Sequence, residues 1–348
     1  MTRTAFATLF AATLLLPACS KTADAHGASP AADAKLLVYV ALDEEFSRPV
    51  LDRYGKELGI TLQQQHDTEA AKTVGLVSAI KEERSAPRCS VFWNNELANT
   101  VSLAQAGLLQ PYVSPAAADL PAAFRDPEGR WTGFAARARI LIVNTELLPD
   151  PATWPRSYRD LIDPKWRGRC GVARPKTGTT LTHFAALRLL LGEAEFGQFL
   201  TGIEENQVKL LSGNGAAMRE VRDGKLPWAF TDTDDYHVAM QKGFKVACVF
   251  PDQHEGGIGT MLIPNSVGIV TGAPNLAAAQ RLVDKIVSAE TEALLAAADG
   301  AQIPLRANVT GPKDPSIPSV GKFRAMAWDP TAVGRELARS SAEFGKRF

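Results

Sequence analysis

Leu36-Leu37-Val38-Tyr39-Val40-Ala41 is a continuous apolar run of strand length. A strand that meets water on one face alternates polar and apolar residues, whereas one that is apolar throughout is covered on both faces. A helical stretch over 45–58 follows, then a second short strand over 60–64, a helix over 72–84 and a third strand, Ser90-Val91-Phe92-Trp93. Doubly covered strands separated by helices predict a parallel sheet, so the chain opens as α/β. In such sheets a ligand lies outside the carboxyl ends of the strands. Those ends are strongly polar here: Leu42-Asp43-Glu44-Glu45 and Asn94-Asn95-Glu96.

The pattern then repeats in kind. Strand 139–144 is followed by proline breaks, and strand 169–174 opens a second series. In it Pro175-Lys176-Thr177-Gly178-Thr179-Thr180 turns into a long helix through Leu191. Helices are predicted over 193–205 and 214–223, strands over 228–231, 244–250, 259–264 and 266–270, and one helix over 276–297. The tail from 312 is proline-rich, then helical from 330. At 348 residues the length favours two domains. Lys+Arg and Asp+Glu both number 38, so there is no basic excess for a nucleic-acid backbone or an anionic membrane. Four cysteines and five histidines without paired metal-site spacing exclude a zinc ribbon. No window approaches the ~18 apolar residues of a spanning helix, which excludes a multi-span membrane protein.

The N-terminus carries Arg3, an apolar run over 5–16 and Leu16-Pro17-Ala18-Cys19. That ending resembles a bacterial lipobox, which implies a signal peptide over 1–18, lipidation of Cys19 and a flexible Ala/Ser/Gly-rich tether over 19–34. Cys89, Cys170 and Cys248 remain. A Cys170–Cys248 disulfide and three buried thiols are both open readings.

No strong catalytic signature is present: neither GxSxG nor GxxxxGK[ST] occurs. Thr177-Gly178-Thr179-Thr180 precedes a helix, where unpaired N–H groups either receive an anion or are capped by threonine. Asp232-Thr233-Asp234-Asp235 is the densest acidic cluster near a strand end. It fails as an EF-hand, since Tyr236 and His237 stand where a ligand and Gly should be. Three neighbouring carboxylates ionise together only with a cation, an arginine or open solvent. Arg137 is a candidate partner for them or for a bound anion.

Together these pieces resemble the solute-binding proteins of bacterial ABC importers, specifically the ferric-ion-binding branch of the family 1 extracellular solute-binding proteins. The resemblance runs over most of 35–310. It rests on Leu37-Val38-Tyr39 before a polar loop, Ser90-Val91-Phe92-Trp93, Gly107-Leu108-Leu109-Gln110-Pro111-Tyr112 and Arg137-Ala138-Arg139 entering its strand. Asp163-Pro164-Lys165-Trp166-Arg167-Gly168, the turn at Pro175, Gly259-Thr260 to Pro264 and Gly272-Ala273-Pro274 complete it. It implies the periplasmic-binding-protein type II fold: two α/β lobes with mixed sheets joined by hinge strands. Lobe 1 would hold 35–136 and 260–311; lobe 2 would hold 137–259 and 312–348, including the helical tail.

By the same resemblance, Asp234 and Asp235 stand where the family's adjacent tyrosine pair holds metal, and Asp43 stands at its histidine. Asn95 stands at its carboxylate, with Glu96 beside it. Thr177, Gly178, Thr179, Asn214 and Arg137 match its anion cradle, and Asp232 replaces a second cradle asparagine. Tyr236 either supplies a phenolate by a one-residue shift or packs on its helix. Asp67 and Glu69 face the inter-lobe side or are solvated, and Trp93 floors the pocket or fills core. The implied role is a lipid-anchored, non-enzymatic, monomeric component of an importer on the periplasmic or cell-surface side. It would deliver a small ligand to an ABC permease and ATPase, with no catalytic cofactor, no nucleic acid, and membrane contact through the anchor only. The leading cargo is a metal ion, ferric iron first or another hard cation, with a synergistic anion. A small organic zwitterion, amine or anion such as an aminophosphonate is the alternative cargo, and an exported metal-dependent hydrolase is the alternative of another class.

Overall fold

The computed structural model describes residues 1–2, 34–67 and 73–348, and the chain from Asp33 onward forms one compact unit. The signal peptide, Cys19, most of the tether and Glu69 lie outside the described residues. Strand β1 (Ala34–Val40) leads into helix α1 (Glu44–Leu58), whose acidic first turn (Glu44, Glu45) and Lys56 in the last turn complement the helix dipole. Gly59 closes α1 in a left-handed conformation, φ 63°. Strand β2 (Ile60–His66), helix α2 (Val74–Glu82), strand β3 (Cys89–Asn94), helix α3 (Ala98–Gln105) and strand β4 (Leu109–Gln110) follow. As the apolar runs require, β1 pairs in parallel with both β2 and β3.

Strand β5 (Thr132–Asn144) is buried along its entire length and organises everything after it. It is succeeded by β6 (Cys170–Ala173), α4 (Gly178–Glu205), β7 (Lys209–Leu211), α5 (Asn214–Arg222), β8 (Trp228–Asp232), α6 (Thr233–Gln241), β9 (Val246–Val249) and β10 (Leu262–Val270). The sheet order is β2-β1-β3-β10-β5-β8-β6-β7, with β4 on β10 and β9 on β5. The first half of β5 pairs antiparallel with β10, and the second half with β8 and β9. One strand thus serves both ends of a curled mixed sheet.

The helices α7 (Leu276–Ile286), α8 (Ala289–Ala297) and α9 (Pro330–Arg347) complete the chain. The single helix expected over 276–297 is two, because the Ser288 side chain accepts the Thr291 amide and starts a new helix. Conversely, the two strands expected over 259–270 are one. Pro264 is accommodated by a register shift against β5 at Pro264/Asn265, opposite Ala135 with its positive φ of 32°. Buried Glu292 on α8 accepts the Ala135 amide at 2.8 Å and Arg306 Nη1 at 3.0 Å, pinning that irregularity. Cys89, Cys170 and Cys248 are free thiols, so the disulfide reading does not hold. Among the described residues no helix is long and apolar enough to cross a membrane.

Candidate functional site

Six chain segments bring polar groups to one small cavity lined by Asp43, Asn95, Arg137, Arg174, Thr177 to Thr180, Asn214, Asp232, Asp234 and Asp235. Asp43 follows β1 and Asn95 follows β3, both at carboxyl ends of strands. Thr177 is the extended residue before α4, and Gly178 has φ 59°, a left-handed turn that brings the chain from the cavity wall into the helix. Asn214 opens α5. Asp232 ends β8 and precedes α6, whose first turn carries Asp234 and Asp235. Carboxylate oxygens of these three aspartates lie within 4.8 Å of one another.

The cations that balance them come from β5. Arg137 and Arg139 are two residues apart, so they project to the same side of the strand. Both are buried, at 3% and 0% exposure. Arg137 Nη1 donates to Asp234 (3.0 Å) and Nη2 to the Asn95 carbonyl (2.5 Å), while its Nε has no protein partner. Arg139 Nη1 donates to Asp232 (2.7 Å), Asn214 Oδ1 (3.1 Å) and Thr179 Oγ1 (3.3 Å), and Nη2 to Thr180 Oγ1 (3.2 Å). The Arg139 guanidinium also lies over the Phe230 ring at 4.9 Å.

These pairings divide the carboxylates electrostatically. Burial pushes the Asp232 pKa up, but Arg139, Arg137 and the Thr179 hydroxyl outweigh it and hold it below the usual range. Burial pushes Asp234 up, and Asp232 and Asp43 add to that against Arg137, so it stays above the usual range. Burial lowers Arg137, yet Asp234, Asp232 and Asp43 together hold it above its ordinary value. Asp235 accepts the Thr231 hydroxyl at 2.7 Å.

Two residues expected at the site are elsewhere. Glu96 is fully buried and caps α3, accepting the Ala98 and Asn99 amides at 2.7 and 2.9 Å. It is a structural tie because its backbone turns it away from the cavity into the start of the next helix. Tyr236 is buried in the main apolar core, where burial pushes its phenol pKa up to about 12; the one-residue shift that would bring it to the cavity does not occur. Trp93 is core, its ring 5.4 Å from Phe134, and Asp67 accepts the Leu76 amide. Arg139 is a site residue that the sequence pattern marks only as the polar start of a strand. A second arginine at i+2 in an apolar strand was the available signal.

Residues 101–332, more than half of the chain, match the family model described as bacterial extracellular solute-binding protein. "Iron uptake protein A1" of Synechocystis is 27% identical over 349 residues, covering 96% of this chain and 93% of that protein. Iron-bound HitA from Pseudomonas aeruginosa superposes with a TM-score of 0.80 at 22% identity, covering 90% of this chain and 99% of HitA. A Trichodesmium protein in complex with iron and citrate superposes at 0.74, 21% identity, 90% and 99% coverage. Their shared fold is that of the type II periplasmic binding proteins, and this chain belongs to the bacterial extracellular solute-binding protein family.

Proposed function

We propose that the chain is the solute-binding component of an ABC importer and carries ferric iron to its permease, without turnover. The observation that carries the cargo reading is the cavity itself: about 40 Å³, walled by oxygen donors, with Asp43, Asn95, Asp234 and Asp235 on its rim. Carboxylate and carbonyl oxygens are hard ligands suited to a hard cation. The name of the Synechocystis relative and the iron in two structural neighbours agree with it. A balancing negative charge belongs to this reading, and the cradle of Thr177, Gly178, Thr179 and Asn214 is where it sits.

In this reading residues 35–136 and 260–311 form one lobe and 137–259 with 312–348 the other, hinged on β5 and β10. Cargo favours the closed state through contacts made only there. Arg137 must release Asp234 when the cation arrives, so binding is an exchange of one positive partner for another. Cys19 is the lipid anchor, and delivery takes place on the outer side of a bacterial membrane. Metal analysis and calorimetry on protein lacking residues 1–19 test the cargo, with ferric salts and 2-aminoethylphosphonate as separate ligands. Stoichiometric iron, weakened at least about tenfold by Asp234→Asn, is the expected outcome. Heat with the phosphonate and none with iron would replace the cargo.

A further inference from the structure

We infer that Asp232 is a built-in anion: its carboxylate fills the cradle, so the protein takes its cation without an external anion at that place. This deepens the ferric-cargo reading and rests on it. The donors that an incoming oxyanion would need are Arg139, Thr179 and Asn214. All three are already committed to one carboxylate, with Arg139 Nη1 at 2.7 Å, Thr179 Oγ1 at 2.7 Å and Asn214 Nδ2 at 2.9 Å. Arg137 Nη1 stands 4.0 Å from the same group. Asp232 is 1% exposed, so these bonds are made away from competing water.

An external carbonate, phosphate or citrate seated on the same donors would meet a second buried negative charge at contact distance, which low-dielectric surroundings penalise. Because Asp232 is covalently part of β8, the internal anion carries no association entropy, unlike a diffusible one. Its position also suits the task. Asp232 lies two residues before Asp234, with ligand oxygens of the acidic trio within 4.8 Å. A cation on Asp234 and Asp235 would therefore have a fixed negative charge directly behind it. The Trichodesmium neighbour, by contrast, contains citrate along with its iron.

The test is ferric titration, by air oxidation of added ferrous chloride in the presence of protein lacking residues 1–19, in buffer freed of carbonate and phosphate, then with carbonate, phosphate or citrate restored. Wild-type affinity is expected to change less than about threefold between the two buffers, and an increase of about tenfold or more on adding an anion overturns the inference. That arm needs no variant. Asp232→Asn opens the cradle and should bind iron about tenfold more weakly without an anion, recovering when one is added. Independently of iron, inorganic phosphate alone should raise the melting temperature of Asp232→Asn and leave that of wild type unchanged. A phosphate-dependent rise in wild type also overturns the inference. Failure of iron to bind wild type in every buffer would instead remove the cargo reading, while the phosphate arm still reports on the cradle.

Discussion

Replacing Glu96 separates structure from site most sharply. Its buried carboxylate takes four hydrogen bonds: from the Ala98 and Asn99 amides (2.7 and 2.9 Å), Asn94 Nδ2 (2.8 Å) and Thr182 Oγ1 on α4 (2.9 Å). Glu96→Gln preserves the shape but turns one acceptor oxygen into a donor. At Oε2 the new NH₂ faces the Ala98 amide, while the Thr182 hydroxyl can turn to accept. At Oε1 it faces two donors, Asn99 N and Asn94 Nδ2. The first placement is the better one and still loses a charge-assisted bond to a backbone amide, roughly 1.5–3 kcal/mol. Glu96→Ala also removes the cap of α3 and strands the Asn94 and Thr182 donors, for a total of about 3–5 kcal/mol. Urea unfolding followed by tryptophan fluorescence reads the loss, and ferric titration of the folded variant reads the site. Glu96→Gln should unfold at lower urea while keeping its iron affinity within about threefold. A variant with the wild-type midpoint and an affinity reduced about tenfold or more would refute the structural assignment and restore Glu96 as a ligand.

Tyr236→Phe should likewise leave iron affinity unchanged and cost about 1 kcal/mol, the value of one buried hydroxyl beside Ser316 and Asp314; thermal denaturation and titration check both halves. His183 is buried, stacked on Phe230 at 5.2 Å, and held well below its ordinary pKa by burial and by Arg139. The unfolded chain takes up that proton near pH ~6.5 and the native state does not, so stability falls as pH drops below ~6.5, by up to ~1.4 kcal/mol per unit. His183→Phe should flatten the melting temperature against pH over that acidic window. Glu292→Ala removes the carboxylate partner of buried Arg306 and the acceptor for the Ala135 and Leu305 amides. It should destabilise by about 3–5 kcal/mol in urea unfolding.

The strands and the fold class were legible because apolar runs such as Leu36 to Ala41 admit few alternatives to a doubly covered sheet. Pairing partners were less so. That β5 would serve both halves of the sheet depends on a 13-residue strand that changes partners between Ala138 and Arg139, and whose one irregularity, Ala135, lies wholly within its β10-paired part. An alanine with positive φ leaves no trace in composition. The cavity residues were readable where they ended strands or began helices, as with Asp43, Thr177 to Thr179, Asn214 and the aspartates. Glu96 and Tyr236 were misplaced because adjacency along the chain says nothing about direction. The Glu96 side chain turned back to the next helix, and Tyr236 followed the 3.6-residue period of α6 into the core. Arg139 was hidden by its neighbours, since an arginine at the edge of an apolar run ordinarily marks where burial ends. Here the tertiary fold buries it and supplies its partners from α4, α5 and β8.

The junction of β8 and α6 places Asp232, Asp234 and Asp235 within four consecutive residues, on a strand end and a first helical turn whose backbones are held by their own hydrogen bonds. Charge and balancing anion are thus written in one short stretch, but Arg137 and Arg139 are buried against it, so the tetrapeptide and the two arginines of β5 form one electrostatic unit. Removing either Asp232 or Asp234 alone would strand a buried guanidinium, so a change of charge at this junction has to be matched by a change on β5.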